Sequence, residues 1–186
     1  MGDEDFFVRD LAIEALKEAL GSDLDVAVKS KVALALEEDL GSDLDAAAKS
    51  QVAEALVNAL FDWDRDVREN AARALKNAFG SDLDASSKSK VAEALVKALF
   101  DWDRDVRENA ARALKNAFGS DLDASSKSKV AEALAKALGD EDFFVRDLAI
   151  KAFKDALGSD LDVAVKSKVA DALAEASGDK DFFVGR

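Results

Sequence analysis

Phe61-Asp-Trp63-Asp-Arg-Asp-Val67-Arg68-Glu-Asn-Ala-Ala-Arg-Ala-Leu75-Lys-Asn-Ala-Phe79-Gly80-Ser81-Asp-Leu83-Asp84 returns unchanged as residues 100–123. The identity runs further: segment 61–99 matches 100–138 at 38 of 39 positions, and only Val96 and Ala135 differ. Repetition at a fixed period near 40 residues is the signature of stacked helical repeats. The pentapeptide Gly-Ser-Asp-Leu-Asp marks the period, starting at Gly21, Gly41, Gly80, Gly119 and Gly158. Segment 2–40 matches 139–177 at 32 of 39 positions. Segment 41–60 is a half-repeat, matching 80–99 at 16 of 20 positions. The chain therefore divides into repeats 2–40, 61–99, 100–138 and 139–177, the half-repeat 41–60 and a C-terminal stub 178–186, all within one helical repeat domain, 1–186.

Each repeat reads as two helices. In 61–99 the first, about Asp64 to Phe79, places Val67, Ala71, Ala74, Leu75 and Ala78 on one face at helical spacing. Asp62 and Asp64 are candidate N-caps. Gly80 is expected to end the helix in a left-handed conformation. Ser81, with Asp84 three residues on, is expected to cap a second helix over Asp82–Leu99. That helix turns Leu83, Val91, Ala94, Leu95 and Ala98 inward. So short a Gly-Ser connection makes the two helices antiparallel neighbours. Nine helices and the stub are predicted. Helix 26–40 is a hybrid, opening like a second helix and ending like a first.

The stretches Asp64-Arg-Asp-Val67-Arg68-Glu-Asn-Ala-Ala72-Arg-Ala-Leu75 and Asp142-Phe-Phe-Val145-Arg146-Asp-Leu-Ala149-Ile-Lys-Ala-Phe153 resemble the first helix of HEAT-like repeats. Val-Arg recurs in register at Val8, Val67, Val106 and Val145. The near-identical repeats make the chain similar to artificial, designed HEAT-like scaffolds, with armadillo repeats a close second. The resemblance implies an all-α, right-handed solenoid of antiparallel helix pairs, with second helices lining the concave face. It also implies a ladder of Arg9, Arg68, Arg107 and Arg146 with acids of neighbouring repeats.

The 186 residues carry a net charge of −13, with 49% apolar and 35% charged residues. An apolar fraction this high opposes disorder, and an Ala-, Leu- and Lys-rich chain without Pro favours helix throughout. There is no Cys, so thiolate metal sites, disulfides and Cys nucleophiles are excluded. There is no His, which removes the commonest general base and zinc ligand. The acidic balance opposes nucleic-acid binding and anionic membranes. An acidic N-terminus and the lack of a long apolar run predict a soluble, cytoplasmic protein.

Asp62-Trp-Asp64-Arg-Asp66 alternates acids as a calcium loop does, but Val67 and Arg73 stand where that loop needs Gly and Glu. No base stands ready for any Ser, and no phosphate loop is present. No catalytic residue, cofactor or metal is therefore expected. Two candidate binding surfaces remain. Lys88, Lys90, Lys127 and Lys129 recur on second helices and would align as a basic row, a seat for an acidic peptide or protein segment. Phe6, Phe7, Phe182 and Phe183 lie in Phe-Phe-Val motifs near the ends and would serve self-association. Trp63, Trp102, Phe61 and Phe100 are expected to stack between repeats at the turns. The function expected is that of a non-catalytic scaffold, its partner a second copy or a protein segment.

Overall fold

The computed structural model describes residues 3–22, 24–41, 44–158 and 162–178, with backbone alone for 3–10, 39, 41, 177 and 178. Nine α-helices occupy the described residues: α1 (Asp3–Gly21), α2 (Val26–Gly41), α3 (Ala46–Ala59), α4 (Arg65–Ala74), α5 (Ala85–Ala98), α6 (Arg104–Leu114), α7 (Ala124–Ala137), α8 (Phe143–Gly158) and α9 (Val163–Gly178). They fall into two compact units, 1–91 and 92–186, whose boundary lies inside α5.

Aspartates start these helices. Asp64 accepts hydrogen bonds from the Asp66 and Val67 amides, and Asp103 from those of Asp105 and Val106. Asp45 and Asp123 cap α3 and α7 through the Ala48 and Ser126 amides. Each removes an orphan donor from the first turn. Asp84 does the same for α5, accepting from the Ser87 amide at 2.9 Å. This corrects the expected start at Asp82: Ser81 is not the cap, and its hydroxyl donates back to Ala78 O at 2.8 Å, closing the preceding turn.

The first helices end differently from expectation as well. After α4 the chain tightens into a 3-10 turn over Leu75–Gly80, and after α6 over Lys115–Gly119. Such tightening is a common way to finish a helix. Among the described residues no glycine has a positive φ, so the left-handed stop expected at Gly80 is absent.

The apolar stripes fall where periodicity puts them. Val67, Ala71, Ala74, Leu75 and Ala78 are buried completely, and Leu83, Val91, Ala94, Leu95 and Ala98 almost so. Phe118 and Phe153 meet as a tilted pair at 6.5 Å between the 3-10 turn after α6 and α8.

In unit 92–186, α6 packs on α8 and α7 on α9, while α7 and α8 hold the two layers together. This alternate stacking is the solenoid arrangement. In unit 1–91 the same parity holds, with an unexpected assignment: α1 packs on α3, and α2 on α4 and its 3-10 turn. By sequence α1 is a first helix, yet it lies beside the second helix α3. The hybrid α2 takes the first-helix place next to α4. The half-repeat contributes one helix instead of two, so alternation shifts both helices before it by one layer. The C-terminal half of α2 suits that place: Leu36 and Leu40 are fully buried, and Glu37 pairs with Lys76 at 2.6 Å.

Candidate functional site

Buried cations that reach the next repeat follow one spacing. Arg107 Nε donates to Asp140 Oδ2 at 2.9 Å, 33 residues on, and its Nη2 reaches Glu141 at 3.3 Å. Its Nη1 donates to the carbonyls of Asp101 and Trp102, ending the previous turn. Arg146 repeats that grip on the carbonyls of Asp140 and Glu141. Asp140 thus offers its carboxylate to one arginine and its carbonyl to the next. The implied ladder is present at this rung. Burial disfavours the charge of Arg107, but Asp140 and Glu141 outweigh it and raise its pKa.

Lysines form analogous rungs that the sequence reading missed. Lys29 meets Asp62 at 3.0 Å, with both side chains largely buried. Lys49 meets Asp82 at 2.5 Å and holds its carboxyl below the usual value. Both separations are again 33 residues. A constant spacing between opposite charges was the available signal.

In the alternating acid pattern, Asp64 caps α4 and Asp62 braces the turn before it. Asp62 accepts from the Asp64 amide at 2.9 Å while holding Lys29.

The candidate basic row is not a row of equivalent charges. Lys88 is buried, only 6% exposed, and therefore presents little charge to a ligand. Lys90 is exposed and Lys127 half-buried. Lys129 is exposed but pairs with Glu93 at 2.8 Å. That contact lowers the pKa of Glu93 and raises that of Lys129. Lys168 pairs in the same way with Glu132, lowering its pKa. Each separation is 36 residues, so glutamates of one second helix neutralise lysines of the next.

Two clefts lie on the second-helix surface of unit 92–186. One of about 180 Å³ opens between α5 and α7, beside Val96, Val130 and the Glu93–Lys129 pair. The other, about 300 Å³, opens between α7 and α9 beside Ala135 and Ala172. The one difference between the two central repeats, Val96 against Ala135, thus lines both, and the smaller side chain lines the wider cleft.

The self-association candidates Phe6, Phe7, Phe182 and Phe183 have side chains outside the described residues. The turn aromatics are a correction. Trp63 is 80% exposed and Trp102 is 88% exposed, so neither indole is buried between repeats; Phe61 and Phe100 are also exposed.

This alternation of paired helices has a clear counterpart in sequence. The HEAT-repeat family matches residues 13–115 and, again, 53–154. The chain belongs to the HEAT-repeat family. Among solved structures, this HEAT-repeat chain is similar to two crystal structures of engineered proteins. One has 26% identity and a TM-score of 0.68, over 89% of this chain and 69% of that one. The other has 28% identity and a TM-score of 0.66, over 88% and 70%. It also shares its fold with a designed armadillo repeat protein in complex with peptide (KR)4, at 22% identity and a TM-score of 0.67, over 92% and 77%. No match is found among curated proteins. The chain is an all-α helical-repeat scaffold resembling engineered repeat proteins. Among the described residues, no helix is long and apolar enough to cross a membrane.

Proposed function

We propose that this protein is a non-catalytic, designed scaffold whose 39-residue segment is a modular unit. The recurrence of one ion pair at one spacing, its cation buried each time, carries the reading. The rungs at Lys29, Lys49 and Arg107 all reach an aspartate 33 residues on, so the buried charges are spent on joining repeats. An evolved site would instead gather unlike polar residues at one place. Inserting a further copy of 61–99 after Leu99 tests this. A modular scaffold keeps its helicity per residue and unfolds at an equal or higher midpoint, because each repeat contacts only its neighbours. Loss of cooperative unfolding in the longer chain overturns the reading.

Two binding readings accompany it. Self-association through Phe6, Phe7, Phe182 and Phe183 is favoured by Phe143 and Phe144, which belong to the same motif and are 56% and 55% exposed. Light scattering on a variant with those four residues made polar tests it; a wild type of one chain's mass at high concentration rejects it. A peptide partner is compatible with the peptide-bound armadillo relative. An acidic segment on Lys88, Lys90, Lys127 and Lys129 draws less support, given the burial of Lys88 and the Glu93–Lys129 pair.

A further inference from the structure

The two turns that precede α6 and α8 lie side by side. One guanidinium establishes this: Arg107 donates to the Trp102 carbonyl at 3.1 Å and to the Glu141 carboxylate at 3.3 Å. Arg104 adds a second link, 3.8 Å from Asp142. Four aromatics stand out from this edge. Trp102 is 88% exposed, and Phe100, Phe143 and Phe144 are each exposed by more than half. Soluble chains seldom leave such a group of aromatics uncovered without a use for it. Around them, residues 100–107 and 140–147 hold seven acids against three arginines.

The edge already shows what an aromatic face there accepts. Arg146 Cζ lies 5.9 Å from the centroid of Phe143, which itself meets Phe144 edge-on at 5.7 Å. A cation over a ring is attracted by its quadrupole, and Trp is the strongest such partner. Guanidinium is also less strongly hydrated than ammonium and stacks on planar rings.

We propose that the edge carrying Phe100, Trp102, Phe143 and Phe144 is a docking surface for a cationic, arginine-bearing peptide segment. The arginines lie against the aromatic faces, and the exposed carboxylate of Glu141 draws them in. Charge decides between occupants. A second copy would bring the same acidic edge to this one, and an anionic membrane would be repelled by a chain of charge −13.

The chain's two tryptophans are Trp63 and Trp102, so Trp63→Phe leaves Trp102 as the sole indole reporter. Octa-arginine, octa-lysine and octa-glutamate are titrated into this full-length variant at physiological salt. Trp102 emission and the anisotropy of labelled peptide are followed. Octa-arginine is expected to saturate, binding about ten-fold more tightly than octa-lysine, with octa-glutamate inert. Phe100→Ser with Phe143→Ser and Phe144→Ser is expected to weaken octa-arginine about ten-fold at unchanged helicity. Should that triple variant lose helicity, Trp102→Ser alone, read by anisotropy, takes its place with the same expectation. Equal binding by variant and parent overturns the proposal, as do indistinguishable arginine and lysine peptides. No binding at ~1 mM also overturns it.

Discussion

Lys29 Nζ stands 3.0 Å from Asp62 Oδ2, in the relation that Arg107 bears to Asp140. Asp62 then gives its carbonyl to Arg68, as Asp140 does to Arg146. A lysine from a helix that opens like a second helix has thus become a first-layer rung. Asp62→Ala removes the acid and leaves the ammonium largely buried. It is expected to cost about 3 kcal/mol in urea denaturation, since breaking a buried pair strands a charge. Lys29→Met with Asp62→Asn is expected to cost less than the single change. A double variant that loses more than Asp62→Ala would show that the pair itself is the main source of stability.

Gly80→Ala is expected to stabilise by about 0.4–1 kcal/mol, through a less flexible unfolded chain. Gly80 has no positive φ, and a Cβ built there meets nothing within 4 Å. A fall in the urea midpoint would contradict this geometry.

Val91→Asp is expected to be far more damaging than Lys90→Asp. Val91 is 1% exposed, and an aspartate there would lose its hydration without a partner. Lys90 is exposed, so its replacement stays within about 0.5 kcal/mol. Equal shifts in the denaturation midpoint would mean that the faces of α5 are misassigned.

Acid weakens the repeat-to-repeat pairs. The pKa values of Asp82, Glu93 and Glu132 are lowered, chiefly by Lys49, Lys129 and Lys168 in turn. A depressed carboxylate stabilises the fold above its unfolded value and loses that contribution as pH falls through its folded value. Stability is therefore expected to fall below about pH 4.5, the ordinary value for Glu. Lys129, whose pKa is raised, acts at the other limit: its contribution persists below 10.5 and fades as pH climbs through its folded value. Urea midpoints across pH for wild type and for Glu93→Gln with Glu132→Gln check this. The variant's acid limb is expected to be shallower.

The helix faces were legible because burial follows periodicity: Val67, Leu75, Val91 and Leu95 all lie inside as the spacing requires. Caps were only partly legible. Ser81 and Asp84 both suit an N-cap, and nothing local tells which hydroxyl or carboxylate the backbone will choose. The lysine rungs were hidden because i,i+4 spacing within a helix is easy to see, whereas Lys49 finds its acid 33 residues away. Trp63 and Trp102 were misread because a large aromatic beside a helix start suggests packing. Whether neighbouring turns close over it is a tertiary matter. The candidate site was legible least of all, since it needs two distant turns clamped by Arg107.

Residues 3–21 and 140–158 agree at 16 of 19 positions, yet α1 rests on α3 while α8 rests on α6. Near-twin sequences thus hold opposite addresses. A helix here learns its layer by counting from its neighbours, odd against even, and its own residues tolerate either answer. Splicing a single helix into the middle of such a chain would exchange the two sides of everything upstream, whereas splicing in a pair would leave them as they were.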